Sequence, residues 1–147
     1  SQDRIKIDSL YISEHYKIVY GFSQGVLGDI FDMTDFTLPQ LQILPIVNIL
    51  SVPTGYVDYC LVRVFGENLN EANSLENHFQ HGGSLENLKL SEAKKAIIIT
   101  ANSQDTGEDQ NIYFVENQLG SIEVSYLTQL IGNYMDIDNW SMDNFIV

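Results

Sequence analysis

Residues 96–101 read Ala-Ile-Ile-Ile-Thr-Ala, an unbroken run of small and β-branched groups whose stiff side chains suit a pleated strand. A second run, Asn111–Val115, follows after a polar linker, Asn102–Gln110, that contains Asp105-Thr106-Gly107. The pair predicts a β-hairpin with a long loop, and a chain built on such a hairpin must bury the rest of its apolar residues against it. Pro53-Thr54-Gly55 signals a turn, and Tyr56–Phe65 behind it alternates as a further strand. Near the start, Arg4–Ile12 and Lys17–Phe22 read as a hairpin turning at Ser13-Glu14-His15.

Three segments favour helix. After Gly120, Ser121 is placed to cap a helix over Ile122–Met135, in which Leu127, Leu130, Ile131 and Tyr134 fall at i, i+3, i+4 and i+7. Thr37 caps a second, with Pro39 in its first turn and Pro45 ending or kinking it; an extended strand over Ile46–Val52 competes with that reading. A short third helix fits Asn70–Phe79, broken at Gly82-Gly83. Ser23–Phe36, with Gly25 and Gly28, is assigned to neither state. The tetrapeptide Ser-Leu-Glu-Asn occurs at 74–77 and at 84–87, too few copies for a repeat architecture. The expected fold class is therefore α+β: a mostly antiparallel sheet of about five or six strands with two or three helices packed on one face. At 147 residues, 44% of them hydrophobic, residues 1–147 suffice for a single acidic domain with its own core.

Charge bounds the function. Twenty acids against seven bases give a net charge of −13, which argues against direct nucleic-acid binding through phosphate neutralisation. Thirteen of the twenty acids lie in residues 67–147, and no lysine or arginine follows Lys95. No apolar stretch has the length of a membrane span, since Leu38–Val52 is interrupted by Pro39, Gln40, Gln42, Pro45 and Asn48. The opening residues carry no basic-then-apolar secretory pattern, and one cysteine, Cys60, forms no internal disulfide; the expected location is the cytoplasm.

Motifs for chemistry are missing. The loop from Asn102 fails the calcium-loop register: with Gly107 at the sixth position, Asn102, Gln104 and Thr106 stand where acids belong and Tyr113 stands where a bidentate glutamate belongs. His78 and His81 lack a third ligand at zinc-site spacing. No nucleophile elbow or phosphate loop occurs, and Gly25-Val26-Leu27-Gly28 lacks the third glycine of a dinucleotide fingerprint. No catalytic residue, metal or cofactor is assigned.

What remains is an interaction protein. Aromatics stand among acids in the C-terminal part, with Trp140 and Phe145 expected at the surface. Small acidic domains that neutralise a toxin or nuclease, immunity proteins among them, are similar in composition, and no motif goes further than that. The expected function is sequestration or inhibition of a basic protein partner, with Asp105, Glu108, Asp109, Asp136, Asp138, Trp140 and Asp143 as contacts. The alternatives are a small-ligand-binding or enzymatic domain with a pocket between sheet and helix, or a secretion-chaperone-like binding domain.

Overall fold

The computed structural model describes residues 4–7, 18–20, 30–39, 42–54, 59–88, 90, 94–104, 109–130 and 137–147. The hairpin anticipated from residues 96–115 is present: β7 (Lys95–Ala101) and β8 (Gln110–Gln118) run antiparallel, pairing Ile98 with Tyr113 and Ala101 with Gln110. β9 (Ser121–Leu130) returns along β8. On the other flank β6 (Tyr59–Phe65) lies parallel to β7, reached through α1 (Ala72–Phe79).

β4 (Gln42–Ile43) and β5 (Val47–Asn48) both run parallel to β6, one after the other along the same edge. Pro45 lies between them, at an edge, where the missing N–H breaks no interior ladder. β2 (Ile18–Tyr20) pairs parallel with β9 and completes a seven-stranded sheet in the order β2-β9-β8-β7-β6-β4, with β5 also on β6. A second sheet sets β3 (Ile30–Asp32) between β1 (Arg4–Lys6) and β10 (Phe145–Ile146), all parallel.

The central strands β6, β7 and β8 are covered on both faces over most of their length. Tyr59, Val62, Ile98, Tyr113, Val115, Val124 and Tyr126 pack with Leu69, Leu75, Phe79, Leu85 and Leu88 of α1 and its flanking turns. Leu61, Ile97, Ile99, Ala101, Ile112 and Leu127 pack with Phe31, Met33, Phe36, Ile137, Trp140 and Phe145 of the smaller sheet and its short 3-10 turns. This explains the uninterrupted apolar run at 96–101: a strand covered on both sides needs no polar face. The two Ser-Leu-Glu-Asn segments diverge, 74–77 being helical and 84–87 a series of turns, yet Leu75 and Leu85 enter the same core.

Several expectations are corrected. The sheet is mixed, with β7–β8 and β8–β9 its antiparallel pairs, and α1, of eight residues, is the α-helix among the described residues, in place of two or three helices on one face. Ile122–Met135 is not helical where described. Ser121–Leu130 is strand, and 131–135 lie outside the described residues. Ile122, Val124 and Tyr126 alternate along it, and the pairing Tyr113–Tyr126 followed by Ile112–Thr128 leaves Leu127 as the extra residue of a bulge. The bulge shifts the phase of the alternation by one residue, so that Leu127 joins the second core while Val124 and Tyr126 face the first.

β1 and β2 belong to different sheets and form no hairpin; the proposed turn at 13–15 lies outside the described residues. Thr37 caps no helix. It ends a 3-10 turn over Thr34–Phe36 in left-handed conformation (φ 50°), where the Lys95 ammonium donates to the Phe36 carbonyl (3.1 Å) and to Thr37 Oγ1 (3.0 Å). The strand read at 46–52 shrinks to Val47–Asn48.

The β8–β9 turn supplies a test of the register. Leu119 (φ 54°) and Gly120 (φ 87°) are both left-handed, the geometry of a two-residue type I′ hairpin, with the Gly120 N–H donating to Asn117 Oδ1 at 2.9 Å. Leu119 is 92% exposed and gains nothing from its side chain. Leu119→Asn is expected to stabilise the fold by about 1 kcal/mol, since asparagine tolerates this region where leucine does not, read as a higher urea midpoint at constant slope.

Candidate functional site

Parallel strands β5, β6 and β7 finish level with one another: Asn48, Phe65 and Ala101 form a row across the sheet that continues to Gln110 at the start of β8. The carboxyl end of a parallel sheet is where connecting loops leave room for a ligand. A cleft of about 500 Å³ opens there. One wall is the turn Asn48-Ile49-Leu50, the second is Phe65-Gly66-Glu67-Asn68, the third is Asn102-Ser103, and His78 and Ser84 close it from the helical layer.

The middle wall is set by close packing and by hydrogen bonds from behind. Gly66 has φ 143°, and a β-carbon there would overlap the Ile49 side chain, so glycine lets the first wall lie directly on the second. The buried Leu69 carbonyl accepts from Thr100 Oγ1 (3.1 Å) and from the Tyr113 hydroxyl (2.8 Å). A chain of polar side chains then runs outward from the core. The Tyr126 hydroxyl donates to Asn111 Oδ1, Asn111 Nδ2 to Asn70 Oδ1 (3.0 Å), and Asn70 Nδ2 to Asn102 Oδ1 (3.0 Å) at the cleft wall. Burial raises the pKa of the Tyr113 and Tyr126 hydroxyls, with Tyr126 adding to the rise at Tyr113 and Asp109 to that at Tyr126, so both remain donors. The walls are thus fixed before any ligand arrives.

The other face of the same region is tied by Arg63. Its Nη1 donates to the carbonyls of Asp138 (2.7 Å) and Trp140 (3.1 Å), and its Nη2 to that of Leu44 (3.1 Å). Burial lowers the guanidinium pKa and Asp138 opposes the shift. One side chain on β6 thereby holds both the edge strand and the C-terminal segment.

The residues anticipated as partner contacts separate into groups. Asp109 is exposed immediately before β8. Asp138, in the 3-10 turn Ile137–Asn139, and Asp143, in the turn Met142–Asn144, are exposed as well. Asp105, Glu108 and Asp136 lie outside the described residues. Trp140 is not displayed. It is 1% exposed, donates from Nε1 to the buried Gln110 Oε1 (2.6 Å) and packs on Phe31 and Phe145, each at 5.8 Å between centroids. Phe145 is buried too. The expectation of exposure fails because the indole and the Phe145 ring together cover the second core.

Through Gln110, Trp140 brings the Asp138 segment towards Asp109, whereas Asp143 belongs to a separate turn capped by Ser141. The histidine pair also divides: His78 lines the cleft, and His81, beyond the end of α1, meets Glu86 Oε1 at 2.9 Å. Among the described residues no group of three His, Cys, Asp or Glu side chains is arranged to hold a metal ion, and no helix is long and apolar enough to cross a membrane.

Composition alone did not single out the cleft residues. The signal available was the change of character after Phe65, where β-branched residues give way to Gly66-Glu67-Asn68-Leu69-Asn70, the mark of a strand ending in a shaped loop. No protein-family model matches the chain, and neither a curated protein nor a solved structure does so.

Proposed function

We propose that the chain is an interaction domain that sequesters or inhibits a basic protein partner, engaging it at the carboxyl end of the central sheet. The observation that carries this reading is the charge of that end. Glu67 and Glu71 leave β6 there and Asp109 enters β8, while the sequence between β7 and β8 adds Asp105 and Glu108. Arg63, on the neighbouring strand, spends its guanidinium on backbone carbonyls, and Lys94 and Lys95 stand at the opposite end of β7. In a chain of net charge −13 this end attracts cations and repels phosphate. Asp138 adds to the acidic surface, Asp143 is set apart because its neighbour Met142 meets Cys60 near the amino end of β6, and Trp140 is withdrawn as a contact because it is buried. A cytoplasmic location belongs to the same reading and is supported by the buried thiol of Cys60, 3.5 Å from Met142 Sδ.

Capture from a native extract at low salt, followed by salt-step elution, is expected to yield a stoichiometric basic protein. With that partner, the triple reversal Asp105→Lys, Glu108→Lys, Asp109→Lys is expected to slow association at least about tenfold and flatten its dependence on ionic strength, with little change in dissociation rate. Association that ignores both salt and charge reversal defeats the proposal. The cleft itself favours a second reading, a small-ligand domain, which predicts the opposite: ligand affinity indifferent to the triple reversal and sensitive to the cleft walls.

A further inference from the structure

The cleft has a chemistry narrower than a general acidic surface. Most of its lining surface is apolar, its polar side chains are the amides of Asn48, Asn68 and Asn102, the hydroxyls of Ser84 and Ser103 and the imidazole of His78, and Glu67 is the one carboxylate, with no lysine or arginine among the lining residues. An anion entering it would meet a carboxylate and a surrounding field of the same sign, so phosphate and carboxylate ligands are disfavoured. A cation would meet amide and hydroxyl oxygens as well as Glu67. The half-buried ring of Phe65 and the apolar pair Ile49 and Leu50, the latter 90% exposed, provide a surface that a bare metal ion or a small ammonium does not use.

A guanidinium uses all of these at once: five donors in a plane for carboxylate and amide oxygens, a flat face for an aromatic ring, and an aliphatic stem for leucine and isoleucine. A space of about 500 Å³ lies within the roughly 300–1,000 Å³ of ordinary ligand clefts, large enough to take the side chain with backbone on either side. The walls are already fixed from behind by Leu69 and Asn70, so little ordering opposes binding.

We propose that this cleft is the seat of one arginine of the partner, inserted side chain first, with its guanidinium on Glu67 and Asn102, its stem along Ile49 and Leu50, and its plane against Phe65. This rests on the basic-partner reading and adds a position and a residue type to it.

The test uses the intact chain, titrated with the blocked tripeptide Gly-Arg-Gly and followed by backbone amide shifts. The arginine peptide is expected to move the signals of residues 48–50, 66–68 and 102–103. Its citrulline counterpart, equal in shape and uncharged, is expected to bind at least about tenfold more weakly. Glu67→Gln is expected to lose a similar factor while its thermal midpoint stays put, because Glu67 is exposed and terminates no buried network. Lysine in place of arginine should fall between the two. Equal binding of the citrulline peptide, or shifts confined to other residues, overturns the assignment.

A pentaarginine titration at two salt concentrations separates this failure from failure of the underlying reading. Salt-sensitive pentaarginine binding that the 105/108/109 reversal abolishes, with the cleft signals unmoved, rejects the arginine seat and leaves the acidic-end reading standing. No binding of pentaarginine at low salt rejects both.

Discussion

Arg63→Met is expected to destabilise the domain by about 3 kcal/mol, the largest single-substitution effect among its charged residues. The methionine keeps much of the apolar stem but deprives the carbonyls of Leu44, Asp138 and Trp140 of their donor in one step. The first follows β4 at the sheet edge and the other two belong to the segment that covers the second core, so one substitution loosens both. Arg63→Lys separates geometry from charge. An ammonium keeps the charge but cannot span three acceptors set apart in the plane of a guanidinium, so it is expected to recover less than half of the loss. Urea unfolding of the three proteins side by side measures both quantities; full recovery by lysine would mean that attraction to Asp138, and not the carbonyl geometry, fixes the segment.

Alkali is expected to unfold this protein steeply. Tyr59, Tyr113 and Tyr126 are buried, and burial holds the pKa of each hydroxyl well above the ordinary tyrosine value near 10. The sign follows from linkage: the folded state keeps its phenolic protons where the unfolded chain has released them. The stability these groups contribute is therefore intact below pH 10 and is lost as pH rises above it. Each tyrosine gives a slope of about 1.4 kcal/mol per pH unit in that window, so the three together give about 4 kcal/mol per unit. A spectrophotometric titration should show phenolate absorbance from these three rings appearing only with unfolding. Urea midpoints at successive pH values should fall in the same range. Tyr113→Phe is expected to remove one third of the slope while lowering neutral-pH stability, because the buried Leu69 carbonyl loses one of its two donors and keeps only the Thr100 hydroxyl. A midpoint flat through pH 11 would sink this account.

The sequence disclosed strands where a covered sheet demands an unmistakable composition. The 96–115 hairpin and the strand ending at Phe65 were legible because β-branched residues at those positions have no competing use. It misdirected at Ser121–Leu130, where both faces of the strand are buried and one bulged residue, Leu127, breaks the alternation that would mark a strand. Parallel pairing was hidden for a different reason. β1 and β2 lie close in sequence and invite a hairpin, but each pairs with a strand far along the chain, and nothing local encodes such a partner. For the site, net charge was legible and orientation was not: a count of acids cannot reveal that Trp140 turns inward onto Gln110, or that Asn48, Glu67 and Asn102 line one cleft.

In the smaller sheet β3 is flanked by β1 from near residue 4 and by β10 from near residue 146, and all three run the same way. Tension applied between those two positions would drag β1 towards its amino end and β10 towards its carboxyl end, in opposite senses along the same central strand. Both ladders are then loaded lengthwise, so their hydrogen bonds resist together instead of opening one at a time. A domain strung in this way between neighbours would behave as a clasp, stiff against stretching although its fastening is only a few residues long.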